Sequence, residues 1–494
     1  MSAAAMVPLV FLLPLAAAAL LPALFGARPR LAWYAALAVA LATTVAAAVV
    51  AGALPAAGEL RYAVGGWAAP LGIELRFDRI AAVTVAFGAV TALAITFSRT
   101  LTDSVPRPVL FYTLVLVNLG GLNGFALAAD LFNLFVFMEL LSVSAYALVA
   151  ATRQPGAALA AIKYLLPGAV SSLLVLFAIG VLFALTGSLN MADVGARLAG
   201  VEAPAAVALA LGALTVGFLV KAALFPLHFW LPDAHSAAPG PVSALLSALV
   251  VKVGVLGLLR TFELFGAAAG PGLLRLETLL TVLGAVAVVA GAVAAVVQHE
   301  LKRMLAYSTV SNIGYIVLGL GLATTASVAG SIAHVFYHGL TKAGLFLAAA
   351  ALVDRTGLHD IDDLRGLGHR MPWSATALSA GMIAVAGVPP TAGFVGKWQI
   401  ALGALEGGRP LPVTVLLVTV VLGGALLALA YGIRVINALF FRAPTHHRVV
   451  AAREAPLSML VPLVVLIGLA LSAGLSGAAV IEFVRPVAEA FVGR

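Results

Sequence analysis

Four ionisable residues stand alone in long apolar runs: Glu139, Lys221, Lys252 and Lys397. Glu139 sits in LFNLFVFMELLSVSAYALV, with no other charge for eight residues before it and thirteen after it. A charge at bilayer depth costs roughly 2.5–3.5 kcal/mol on insertion scales, so such residues mark ion or proton paths by default. The chemistry open to them is proton exchange. Burial disfavours an ammonium and a nearby carboxylate restores it. A carboxylate that moves, or changes its own charge, therefore switches a lysine between holding and releasing a proton. Lys221 is the expected partner of Glu139. For Lys252 and Lys397 the alternative is a stem that snorkels to the interface. HVFYHGLTK adds His334, His338 and Lys342 at i, i+4 and i+8, on one helix face. Histidine titrates near neutral pH, so this face reads as proton-conducting or water-ordering; a structural face is the alternative. The histidine spacing also fits a metal pair, but no third ligand or HExxH glutamate accompanies it, and no metal is expected.

The elements that must hold these groups are apolar helices with interruptions. The stretch from Val216 to Gly254 begins as an apolar helix carrying Lys221, is interrupted by Pro226 and Pro232, and resumes after Pro239 and Pro241 as the helix carrying Lys252. His228, Asp233, His235 and Ser236 cluster in the interruption. Non-helical backbone at membrane depth is tolerated only inside protein or along a hydrated cavity. Asp233 and His235 either satisfy backbone groups freed by the break or extend the polar path. Lys163 either joins that path or snorkels. Arg434 is ambiguous, and His446, His447, Asp360, Asp362 and Asp363 read as solvated.

Of 494 residues, 63% are hydrophobic and 10% charged, and the mean hydropathy is +1.12. That balance excludes an ordinary soluble domain and indicates an all-α polytopic membrane protein. The chain has no cysteine, which excludes disulfides, cysteine-ligated clusters and thiolate zinc sites. The net charge of +8 is scattered at loop edges, which topology explains better than nucleic acid. The N-terminus lacks a basic leader and reads as a retained first span.

About 14 spans are expected, roughly at 4–26, 31–54, 80–98, 108–127, 129–150, 158–186, 205–237, 241–265, 273–297, 303–322, 326–353, 373–405, 411–441 and 456–482. The loop Gly58–Arg79 alternates as a small hairpin would. Odd-numbered connections and their adjoining helix ends carry thirteen Lys and Arg; even-numbered ones and the tail carry nine. This places both termini on the outer side. The broken spans, 7 at Pro226 and 12 at Gly387-Val388-Pro389-Pro390, lie five apart. Grouping spans 4–8 and 9–13 gives two inverted five-helix repeats, each with its fourth helix broken, a pattern that points to a transport site near mid-membrane. The corresponding units are 1–105 (helices 1–3), 106–268 and 269–442 (two half-channels), and 443–494 (helix 14).

Five motifs run together from about 110 to 400: FMELLSVSAYALV, VKAALFPLHFWLPDAHSAAPGPVSALLSALVVKVG, LKRMLAYSTVSNIGYIVLGLGL, HVFYHGLTKAGLFL and AGVPPTAGFVGKW. On these residues the chain resembles the antiporter-like membrane subunits shared by respiratory complex I, multisubunit Mrp-type sodium/proton antiporters and energy-converting membrane hydrogenases. The resemblance implies a proton relay through Glu139, Lys221, Lys252 and Lys397, with His334, His338 and Lys342 on the span-11 face and His228, Asp233 and His235 supporting the break. Lys397, and the lack of a long lateral C-terminal helix, look most like the D-type antiporter subunit; a complex I or hydrogenase pump module is the alternative. The resemblance implies partners in other membrane subunits of one assembly, protons and a monovalent cation such as sodium, and a prokaryotic inner membrane. No cofactor and no catalytic chemistry are expected on this chain; redox chemistry would lie on partners.

Overall fold

A computed structural model of the chain describes residues 3–101, 105–152, 154–266 and 270–493, with backbone alone at 56, 101 and 270–275. Arg153, Arg494 and the expected 268/269 boundary lie outside the described residues, as does the Arg275 side chain. Among the described residues, thirteen helices are long and apolar enough to cross a membrane. The twelfth span makes fourteen: it is split into Pro372–Ala386 and Ala392–Glu406. The chain is therefore an all-α polytopic membrane protein.

Burial sorts the spans into a centre and a rim. The most apolar 18 residues of span 8 (Gly240–Phe265), span 10 (Leu301–Leu322) and span 11 (Thr325–Thr356) are 100%, 94% and 89% buried; those of spans 1, 2, 6, 9, 13 and 14 are between 28% and 39% buried. Ionisable side chains inside a membrane need protein around them, and the three central helices carry Lys252, His334, His338 and Lys342. Span 11 has 32 residues, about 48 Å of helix against a hydrocarbon core of about 30 Å. It packs on spans 8, 10, 12 and 14 and so forms the hub.

Both interruptions occur where expected, with one refinement. The first half of span 7 is Pro204–Lys221, which stops five residues before Pro226. The Pro226 ring would collide with a helical carbonyl four residues earlier, at Ala222. Ala223 takes a left-handed φ of 53°, and helix resumes at Trp230–Ala237. Lys221 is thus the last residue of its half-helix. In span 12, Gly387 ends the first half with φ 86°. A Cβ there would stand 3.1 Å from the Lys397 Cδ, so the glycine also makes room for the lysine stem. Span 8 contains a π turn, Leu246–Val250, ending two residues before Lys252. Its Gly254 and Gly257 press on span 7, at the backbone of Phe218 and Ala222 and the ring of Phe218.

The expected hairpin forms on the even-connection side. β1 (Leu60–Ala63) pairs antiparallel with β2 (Glu74–Phe77), Leu60 opposite Phe77. Span 14 ends earlier than expected, at Leu475. A separate helix, Gly477–Val492, follows. Its Ile481, Val484, Ala488 and Phe491 are buried, whereas the side chains of Glu482 and Arg485 are 71% and 50% exposed. That period of three to four residues is amphipathic rather than spanning.

Candidate functional site

Asp130 starts span 5 (Leu131–Val149) by accepting from the amides of Phe132 and Asn133 at 2.9 and 3.0 Å. Glu139, Ser142 and Tyr146 then recur on one face of that helix. Lys221 meets this face from the end of its half-helix. Its Nζ lies 2.8 Å from Ser142 Oγ, 3.3 Å from the Tyr146 hydroxyl and 3.0 Å from Ser172 Oγ on span 6, Ala157–Thr186. The Glu139 carboxylate is 3.6 Å away. Ser172 donates to Glu139. The lysine side chain is 4% exposed and the glutamate 32%, so the pair joins an interior cation to a carboxylate at the rim. Trp230 closes the helix end, its indole N–H donating to Val220 O at 3.1 Å. Its ring stacks on Tyr164, which packs edge-on against Tyr146.

A second cluster lies between spans 8, 10 and 11. Lys252 is fully buried. Its Nζ lies 2.6 Å from His338 Nδ1 and donates over 2.6 Å to Ser247 O, within the π turn. A shared proton between Nζ and Nδ1 permits two arrangements: ammonium with a neutral ring protonated at Nε2, or amine with a ring protonated at Nδ1. His334 follows, its ring centroid 6.0 Å from that of His338. Asn312 turns its Oδ1 to His334 Nε2 at 3.1 Å, an orientation set by its Nδ2 donating to Ser308 O at 2.8 Å. Lys342, one turn beyond His338, donates to Leu305 O at 2.8 Å and Ser308 Oγ at 2.6 Å.

Lys397 does not reach toward headgroups. It is buried and folds back, donating to Val385 O and Ala386 O at 2.8 and 3.1 Å. Those carbonyls end the first half of span 12, the negative pole of that helix. Its Nζ also lies 4.5 Å from the Tyr315 ring centroid, whose hydroxyl is tied to Val421 O at 2.7 Å.

Glu139 and Lys221 are thus brought together, as are Lys252, His338 and His334. Among the described residues no direct hydrogen bond joins Lys221 to Lys252. The supporting residues separate. Asp233 turns away from the freed backbone and pairs with Lys163 at 2.7 Å and Arg303 at 2.8 Å. It lies at the edge of a cleft of about 450 Å³, with Glu300 and His359. Lys163, its side chain half exposed, links span 6 to the break through this pair. His235 is fully buried and stacks on Phe346 with centroids 4.3 Å apart; its ring nitrogens have no protein partner among the described residues. His228 lies between Phe225 and Tyr307. Arg434 clamps spans 13 and 9, donating to Val296 O at 2.6 Å and to Gln298 O.

Two sets of residues went unread in the sequence. Ser142, Tyr146 and Ser172 surround Lys221, and Ser308, Asn312 and Tyr315 line span 10 opposite span 11; the recurrence of polar residues every three to four positions was the available signal. Arg76 and Arg260, two of the nine basic residues counted for the even-numbered connections and adjoining helix ends, form an ion-paired cluster in which Arg260 is buried. Arg260 reaches Asp78 at 2.6 Å and Glu263 at 2.8 Å, and Arg76 reaches Glu263 at 2.6 Å. Burial pushes the Asp78 carboxyl up, but Arg260 and Arg76 outweigh it and hold the group below the usual carboxylate range.

The family described as NADH:quinone oxidoreductase/Mrp antiporter, transmembrane, matches residues 128–423, which hold every residue of both clusters. The chain is 39% identical to the N-type subunit of the NADH-quinone oxidoreductase of Desulforudis audaxviator over 87% of each chain. It is 31% identical to the D-type Na(+)/H(+) antiporter subunit of Alkalihalophilus pseudofirmus over 86% of this chain and 85% of that one. Its fold is similar to a chain of an archaeal respiratory complex, the membrane-bound sulfane sulfur reductase, with TM-score 0.90 and 30% identity, covering 98% and 97% of the two chains. It is also similar to a chain of the Mrp complex of a Dietzia species, with TM-score 0.89 and 25% identity over 100% and 98%. The match over more than half the chain, and relatives aligned over nearly their whole length, make this chain a member of the NADH:quinone oxidoreductase/Mrp antiporter transmembrane family.

Proposed function

We propose that this chain is a proton-translocating subunit of a multisubunit cation/proton antiporter in a prokaryotic inner membrane, with both termini on the outer side. Residues 106–268 and 269–442 form two half-channels of opposite orientation. Protons pass between Glu139 and Lys221 in the first, cross by Lys252, His338 and His334, and leave by Lys397 in the second, with Lys342 on the same span-11 face. Ring centroids 6.0 Å apart call for a bridging water between the histidines. His228, Asp233 and His235 support the break. Other membrane subunits complete the assembly, and sodium or another monovalent cation is the counter-ion.

One observation carries this reading: two buried lysine amino groups, those of Lys221 and Lys252, each lie next to a second titratable group, Glu139 and His338. Intramembrane charges so paired mark proton relays. The similarity to a chain named for sodium/proton antiport supports it. The test is Lys221→Ala in the full complex, assayed as cation-driven proton movement in everted vesicles. Antiport should be lost while the complex still assembles; wild-type antiport in that variant rejects the reading.

A second reading has its own observation. The 39% identity to a chain named for NADH-quinone oxidoreductase favours a pump module whose redox chemistry lies on partner subunits. Purification from native membrane decides between them by whether small antiporter subunits or redox subunits accompany this chain.

A further inference from the structure

We propose that the Ser172 hydroxyl is the bridge through which Lys221 and Glu139 exchange their proton, an inference that rests on the relay proposed above. At 3.6 Å the Nζ and the carboxylate form an ion pair but not a hydrogen bond. The three N–H bonds of the ammonium are instead met by three hydroxyls, those of Ser142, Ser172 and Tyr146. Of these, Ser172 touches the carboxylate too: its Oγ accepts from Nζ at 3.0 Å and donates to Glu139 Oε1.

Ser172 is also placed to open and close this connection. Its hydroxyl carries one proton and faces two acceptors, Glu139 Oε1 and Gly168 O, the latter at 3.0 Å and one turn back on its own helix. Turned to Glu139, the hydroxyl completes a chain from nitrogen to carboxylate. Turned to Gly168, it leaves the ammonium and carboxylate in electrostatic contact without a path. The neighbouring Ser171 anchors span 6 by donating to Gly217 O of span 7 at 2.7 Å, and Ser172 is 6% exposed, so bulk water does not replace it.

The step balances without any added reactant. One N–H bond of the Lys221 ammonium breaks as an O–H bond forms at Ser172 Oγ. The original Ser172 O–H bond breaks as an O–H bond forms at the Glu139 carboxylate. The products are neutral amine, neutral carboxylic acid and an unchanged serine. The reverse sequence reloads the lysine. The titratable groups that contact Ser172 are Glu139 of span 5 and Lys221 of span 7; behind them Tyr146 meets Lys221, and Tyr164 packs against Tyr146.

The experiment compares Ser172→Ala, Ser172→Thr and Lys221→Ala in the intact complex in everted vesicles, in water and in heavy water. Ser172→Ala is expected to lower the proton-transfer rate by at least about a hundredfold, the lower end of what a positioned transfer group contributes. It should also raise the solvent deuterium isotope effect, because the unbridged hop becomes limiting, and Ser172→Thr, which keeps the hydroxyl, should restore both. Wild-type rate in Ser172→Ala, with Lys221→Ala inactive, overturns the bridge and leaves the relay standing. Wild-type rates in both overturn the relay itself. A slowed Ser172→Ala with an unchanged isotope effect marks a packing role and overturns the bridge. Should Ser172→Ala not assemble, Ser172→Cys, with similar volume and a weak donor, replaces it with the same readouts.

Discussion

Lys252 separates a structural lysine from a proton carrier, because its two partners are known and both are buried. Lys252→Met keeps the stem and removes the ammonium. It leaves His338 Nδ1 and Ser247 O without their shared partner, at about 1–3 kcal/mol for each unsatisfied group. Taking the middle of that range, two groups at about 2 kcal/mol each give a net destabilisation of about 4 kcal/mol. The complex should still assemble, with a thermal midpoint in detergent lowered by several degrees. Transport in proteoliposomes, followed by a pH-sensitive dye, should be lost. Lys252→Arg sharpens the test. Arginine keeps the positive charge and the donors, but with a pKa above about 12 its neutral form is populated below about 10⁻⁵ at pH 7. A lysine that only fills space and satisfies acceptors is replaceable by arginine; one that must release its proton is not. Wild-type transport in Lys252→Arg would refute the reasoning.

Asp78→Asn should lower the thermal midpoint at neutral pH, because Arg260 and Arg76 lose a carboxylate that they hold ionised. Since the native Asp78 lies below the usual carboxylate range, its stabilisation is present above that range, at about pH 4, and is lost as pH falls through the native value. Melting curves of wild type and variant should accordingly converge in acid and separate above about pH 4. Arg434→Gln removes a guanidinium that ties the end of span 13 to Val296 O and Gln298 O. A loss of about 1.5–3 kcal/mol per charged hydrogen bond should appear as a lower midpoint, with transport by the assembled complex unchanged; slowed transport at normal stability would assign Arg434 to the path instead.

The groups that cost most in lipid were the easiest to read. Glu139, Lys221, Lys252 and Lys397 stand out because an isolated charge in an apolar run has no cheap explanation. The breaks in spans 7 and 12 were legible from proline and glycine, although the helix stops at Lys221 rather than at Pro226 because the collision falls four residues upstream. Ser172 was not legible, and Asn312 only as one of the polar residues recurring along span 10. A hydroxyl or amide in a membrane helix is commonplace, and its meaning depends on which neighbour turns toward it. Arg260 was misread for a related reason: local sequence places it near a helix end, while its partner Asp78 lies 182 residues away. Charge counting treats such a residue as a loop cation, whereas only the packed structure shows it sealed among carboxylates.

Gly254 brings the helices of Lys221 and Lys252 together backbone to backbone, and Gly257 seats the Phe218 ring beside that contact. Lys252 is two residues from Gly254, and Lys221 is the immediate neighbour of Ala222 on the opposing wall. A rigid shift of either helix at that point would have to displace the other, since backbone cannot yield by changing rotamer. The absence of a hydrogen bond between the two lysines need not isolate them: what electricity does not carry across that seam, stiffness can.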